Sequence, residues 1–177
     1  MTDIETSRLT LRTVPMAGLA ATAAGDIEAC RKLISPSLPE DWFEHSWVAD
    51  LRLSQWKKDP AYGPWSIRAI LLKDTGQVIG SINCHDMPHD ICHGGETGLA
   101  IELGYTIFEP RRRQGLAFEA VRGLAEFARS QGVTWVQLSI SPGNLPSQAM
   151  AQKMGAERIG SHMDEIDGPE DEYLVRL

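Results

Sequence analysis

Glu109-Pro-Arg-Arg-Arg-Gln-Gly-Leu-Ala-Phe-Glu-Ala120 lies between a strand-like apolar run, Leu99 to Phe108, and a run of helical periodicity, Gly115 to Gln131. A basic, Gly-containing turn that opens a helix is an anion site. The N–H groups of a first helical turn have no intrahelical partner, and the helix dipole adds partial positive charge there. Gly115 lets the backbone approach a ligand with no Cβ in the way. Arg111, Arg112 and Arg113 add cations suited to phosphate oxygens. The stretch therefore predicts a phosphate-bearing ligand. It is neither a P-loop nor a dinucleotide turn, because G-x-x-x-x-G-K-[S/T] and G-x-G-x-x-G are both absent.

Outward from this turn, the chain alternates helices and strands. Arg8 to Val14 alternates as a short strand. Met16 to Ile34 is Ala-rich and predicts one or two helices broken at Gly25-Asp26. Leu38 to Trp56 carries Trp42, Trp47, Leu51 and Leu53 near helical spacing, and Asp59-Pro60 closes it. Trp65 to Leu72 and Val78 to Cys84 predict a hairpin across Asp74-Thr75-Gly76-Gln77. His85 to Thr97 is polar and predicts a loop before the central strand, Leu99 to Phe108. The helix after the turn places Ala117, Ala120, Val121, Leu124, Phe127 and Ala128 on one face, and Gly132 caps it. Val133 to Ile140 is a strand of buried type, and Pro146 to Lys153 is a short helix. Arg158 to Met163 and Tyr173 to Leu177 predict closing strands across Asp167-Gly168. This order predicts a mixed α/β sheet.

Composition sets the bounds. A chain of 177 residues with 42% hydrophobic and 23% charged residues suits one globular domain, residues 1–177. The net charge of −7, from 17 basic and 24 acidic residues, argues against general nucleic-acid affinity and fits a cationic acceptor. Three cysteines without framework spacing predict reduced thiols and a cytoplasmic setting. No signal peptide is read at the N-terminus, and no apolar run is long enough for a membrane span.

Arg112-Arg113-Gln114-Gly115-Leu116-Ala117 fits Q/R-x-x-G-x-G/A, and so resembles the pyrophosphate signature of the GNAT N-acetyltransferases. Glu5-Thr-Ser-Arg-Leu-Thr-Leu-Arg12 resembles the opening of the branch with the ribosomal-protein N-terminal acetyltransferases of RimJ/RimL type. Glu102-Leu-Gly-Tyr105, Glu119-Ala120, Asn144-Leu-Pro-Ser147 and Lys153-Met-Gly155 resemble later stretches of that branch. The resemblance implies a single-domain GNAT fold, a mostly antiparallel sheet with splayed central strands flanked by helices. It implies acetyl-CoA as cosubstrate and a primary amine as acceptor, with no metal, and it allows a homodimer. Tyr105, Thr106, Ile107 and Phe108 would pair with the pantetheine amides. Arg112, Arg113, Gln114, Gly115, Leu116 and Ala117 would hold the pyrophosphate, with Asn144 and Ser147 also on the cofactor.

Direct transfer needs a base for the amine, a donor for the oxyanion and a proton for the leaving thiolate. Glu102 is either the base, acting through water, or a structural residue that touches substrate. Glu96 is a second base candidate. Ser147 either protonates the thiolate or only caps the following helix. Many GNAT enzymes have a Tyr acid four residues beyond, where this chain has Ala151. That substitution favours an alternative, a weakly catalytic acetyl-CoA sensor or partner-binding module. Glu119 is expected to partner the Arg cluster. His85, His89, Cys92 and His93 lack the spacing of a zinc module. They are expected in a loop lining the acceptor site, with His85 touching substrate.

Overall fold

The computed structural model describes residues 2–165 and 168–177. The chain divides into two compact units, one ending at Met87 and completed by Tyr105–Leu124, the other made of Pro88–Gly104 and Ala125–Leu177.

In the first unit β1 (Ile4–Glu5), β2 (Leu9–Thr13), β3 (Arg68–Leu72) and β4 (Val78–Cys84) form an antiparallel run. The last residues of β6 (Glu96–Ile107) continue it beside β4. Gly80 of β4 makes this fit possible, since a Cβ there would lie 2.0 Å from the Thr106 carbonyl oxygen. Leu9, Leu11, Ile70, Ile79 and Ile82 are fully buried along these strands. The start of α4 (Leu116–Ser130) adds buried Leu116, Ala120, Val121 and Leu124 at helical spacing.

The helices α1 (Met16–Ala23), α2 (Ile27–Leu33) and α3 (Ser46–Lys58) form the rest of this unit, and α1 packs on both others. Asp26 caps α2 by accepting from the Ala29 N–H at 3.0 Å, which is why the Ala-rich run breaks at Gly25-Asp26. Trp42 is buried and donates its indole N–H to Thr22 Oγ1 at 2.8 Å, and Trp56 is buried too. Trp47 is half exposed, so it is not a core residue. Trp65 belongs to a 3₁₀ turn, Pro60–Trp65, and β3 starts only at Arg68.

In the second unit Glu96–Gly104 of β6 pairs antiparallel with β5 (His89–His93) and parallel with β7 (Val133–Ile140). A parallel pair needs a long crossover, and α4 supplies it. β7 then pairs antiparallel with β9 (Gly168–Arg176), and β9 with β8 (Glu157–Asp164). Ala100, Trp135 and Leu174 form a buried cluster against which Ile91 packs. The fold is thus α/β with a mixed, mostly antiparallel sheet.

β5 corrects an expectation, since 89–93 is a strand and not part of a loop. Gly94 (φ 59°) and Gly95 (φ 84°) both take left-handed backbone, the conformation of a two-residue hairpin turn. His89, Asp90 and His93 gave the strand a polar look. Asp167, expected in the β8–β9 turn, lies outside the described residues.

Candidate active site

The basic turn is built in the first unit. β6 ends at buried Ile107, buried Phe108 follows, and a 3₁₀ turn at Glu109–Arg111 leads toward α4. Arg113 (φ 63°) and Gly115 (φ 75°) both adopt left-handed backbone, two such residues within three positions. Among the described residues Arg113 is the one non-glycine in that region, and such strain collects where a ligand is gripped. α4 begins at Leu116, and its first amide bonded to the turn is that of Glu119, to the Gly115 carbonyl at 3.2 Å. The amides just before it have no carbonyl one turn back to receive them.

The three arginines are used differently. Arg111 Nη2 donates to Gln77 Oε1 at 2.5 Å, and Arg112 Nε donates to the Ile107 carbonyl at 2.8 Å. Arg112 thus braces the end of β6, while Arg113 is exposed. Glu119 does not partner this cluster. It accepts from the Arg8 amide and the Arg8 guanidinium, both at 2.6 Å, and from Thr6 Oγ1 at 2.7 Å. Arg8 Nη1 also donates to the Gln114 carbonyl at 3.2 Å, so a residue near the N-terminus braces the turn. Sequence reasoning missed Arg8.

The end of β6 is partly committed. The Phe108 N–H donates to the Ile79 carbonyl at 2.8 Å, and its own carbonyl accepts from the Arg111 N–H at 2.9 Å. Those groups of Phe108 are spent within the fold. His85 follows β4, and its carbonyl accepts from Arg52 Nη1 at 2.7 Å and Gln55 Nε2 at 2.9 Å. Arg52 is buried and also donates Nε to Asn83 Oδ1 at 2.9 Å, which fixes the chain around His85.

The carboxylate candidate belongs to the second unit. Glu102 is half-buried on β6 and accepts from Ser139 Oγ of β7 at 2.6 Å. Pairing of β6 with β7 runs from Leu99↔Val133 to Glu102↔Gln137, and β7 continues beyond it. Ser139 therefore stands one alternation past the last paired residue. It was not anticipated, although a serine in so apolar a strand is a signal. Glu96 pairs with Arg176 and is exposed.

α5 (Leu145–Lys153) carries the other candidates. Asn144 is its N-cap and accepts from the Ser147 N–H at 3.3 Å. Asn144, not Ser147, is thus the capping residue. Ala151 is completely buried. On β5, His93 meets the Trp135 ring edge-on at 5.6 Å and lies 3.3 Å from Glu157, while Cys92, next in the alternation, is exposed.

This order of strands, with a strand–turn–helix connection from β6 to α4, defines an acyltransferase fold of the GNAT class. Residues 8–157 match the model of the acetyltransferase (GNAT) domain, and the chain belongs to that family. An acetyltransferase of Agrobacterium tumefaciens is 23% identical, with 100% of this chain and 95% of that one covered at a TM-score of 0.64. The ribosomal-protein-S5-alanine acetyltransferase of Vibrio fischeri is 14% identical over 99% and 97% of the chains, with a TM-score of 0.67. Mycobacterium smegmatis RimJ, solved with CoA-disulfide, is 16% identical over 99% and 87%, with a TM-score of 0.62. At these identities the likeness is one of fold. No curated protein matches the chain in sequence.

Proposed function

We propose that this GNAT acetyltransferase transfers acetyl from acetyl-CoA directly to a primary amine, a protein N-terminus or a small amine. The observation that carries the reading is the left-handed turn of Arg113 and Gly115 at the opening of α4, within the matched domain. Amides of 113–117 take the pyrophosphate and Arg113 adds charge. The pantetheine runs along Tyr105–Ile107, with Phe108 in van der Waals contact only, and Asn144 and Ser147 hold its far end.

The neutral amine attacks the thioester carbonyl, and a backbone N–H receives the oxyanion. Glu102, through water, accepts the ammonium proton, and Ser139 orients its carboxylate. The C–S bond then breaks, and the CoA thiolate takes a proton from Ser147 or from water. His85 contacts the acceptor. A protein acceptor is supported by the name of the Vibrio fischeri neighbour, a ribosomal-protein-S5-alanine acetyltransferase, and a cationic acceptor by the net charge of −7. In this reading residues 1–177 act as one domain in the cytoplasm, alone or as a homodimer.

A second reading, an acetyl-CoA sensor with little turnover, is favoured by Ala151, which places a buried methyl where many relatives carry a Tyr acid. Titration calorimetry with acetyl-CoA, using Gly115→Glu as control, followed by CoA release with a panel of amines, separates the readings. Micromolar binding that the variant loses, with amine-dependent CoA release, is expected. Binding without release would leave the sensor, and no wild-type binding would sink both.

A further inference from the structure

We propose that the β8–β9 hairpin carries a divalent metal site, ligated by His162, Asp164 and Glu170 and steadied by Glu172. The register pairs Gly160 with Glu172, His162 with Glu170, and Asp164 with Gly168. Alternation puts 160, 162 and 164 on one face with 168, 170 and 172. One imidazole and three carboxylates therefore share a single face of two adjacent strands.

The donors converge. One ligand atom from each of His162, Asp164 and Glu170 lies within 4.8 Å of the others. His162 Nε2 is 3.8 Å from Glu170 Oε2, and His162 Nδ1 is 3.5 Å from Glu172 Oε1. Ligands on one zinc-sized ion, each at roughly 2.0–2.2 Å, stand about 3–3.5 Å apart. Small rotamer adjustments close the difference. The imidazole sits between two carboxylates, so one nitrogen can bind the ion while the other hands its N–H to a glutamate. That second contact fixes the tautomer of a metal-bound histidine.

Two further features seat the fourth carboxylate. A Cβ on Gly160 would lie 2.7 Å from Glu172 Oε2, so the absent side chain makes room for Glu172. Gln137 Nε2 of β7 donates to Glu172 Oε1 at 3.5 Å, which holds it from a third strand. The His162 side chain is 41% exposed and that of Glu170 only 14%, so the site is open to solvent on the imidazole side. One nitrogen and two oxygens suit zinc and its first-row neighbours, whereas magnesium and calcium prefer oxygen-only sets with several waters. The ion would tie β8 to β9 beside their turn. This inference does not rest on the proposed reaction.

The test is calorimetric titration of chelator-treated full-length protein with ZnCl2, and separately with MgCl2. One zinc per chain at micromolar affinity is expected, with magnesium far weaker. His162→Ala should weaken zinc at least tenfold, and Glu172→Gln about tenfold by loss of the orienting contact. Unchanged acetyl-CoA binding in both variants shows that they fold. The double variant Cys92→Ser/His93→Gln should bind zinc like the wild type, and the Co2+ form should lack thiolate charge-transfer bands. Absence of zinc binding by the wild type, full affinity in His162→Ala, or loss of binding in the Cys92/His93 variant would each overturn the proposal.

Discussion

Glu119 of α4 takes both the backbone N–H and the guanidinium Nε of Arg8, each at 2.6 Å. This double contact ties the segment before β2 to the first turn of α4. Burial opposes charge on Glu119, but hydrogen bonds from Thr6 and Arg8 outweigh it and hold the carboxyl below its ordinary value. A group with a lowered folded pKa stabilises the fold above its unfolded pKa, and this stability disappears as pH falls through the folded value. The loss therefore begins below about pH 4.3. Glu119→Gln should cost about 1–2 kcal/mol at neutral pH, given that Arg8 is half exposed. The variant's stability should also fall less steeply in acid. Urea midpoints at pH 7 and in the acid range check both, and equal midpoints at pH 7 would remove Glu119 as an anchor.

Arg113 separates strain from binding. Glycine at a left-handed position relieves the clash of Cβ with the backbone, about 1 kcal/mol. Arg113→Gly should therefore raise Tm by a few degrees or leave it level. The lost cation should weaken acetyl-CoA several-fold, most at low salt. Thermal melts and calorimetry at two ionic strengths measure the two effects. A lower Tm together with unchanged affinity contradicts both halves of the argument.

Glu102 and Ser139 act as a pair in the proposed chemistry. Glu102→Gln should lower kcat at least a hundredfold with little change in acetyl-CoA affinity, the range of a lost general base. Ser139→Ala should have a smaller effect in the same direction, because it frees the carboxylate to turn. Steady-state kinetics beside binding titrations resolve these expectations. Undiminished kcat in Glu102→Gln would assign proton removal to water alone.

The thiols should differ in reactivity. Burial pushes the Cys84 thiol up to about 12 and raises that of Cys30, whereas Cys92 is exposed on β5. Thiolate is the reacting form. A disulfide reagent should label Cys92 alone in the native protein and all three cysteines after unfolding. Rapid native labelling at Cys84 would mean that the first unit opens locally.

β4 and β7 were readable to the residue, because apolar runs end at clear turn or cap residues. β5 was hidden by its polar composition, although Gly94-Gly95 carried the hairpin signal. The turn that opens α4 was legible as a turn because its glycine and charge spacing are local. The Arg8–Glu119 tie spans 111 positions and no local pattern encodes it. Ser139 depends on the β6–β7 register, which one strand's sequence does not fix. The cap of α5 falls to Asn144 rather than Ser147 by backbone geometry at one residue.

Ala151 has no exposed surface, and its methyl group points into packed core. A phenol there would need room for about seven more heavy atoms, and overpacking a core costs about 1–3 kcal/mol or more. Single substitution to tyrosine therefore lands on a misfolded or loosened chain before any catalytic gain. Neighbouring side chains would have to shrink first, with no benefit of their own. An engineered tyrosine acid would therefore have to be introduced together with its cavity.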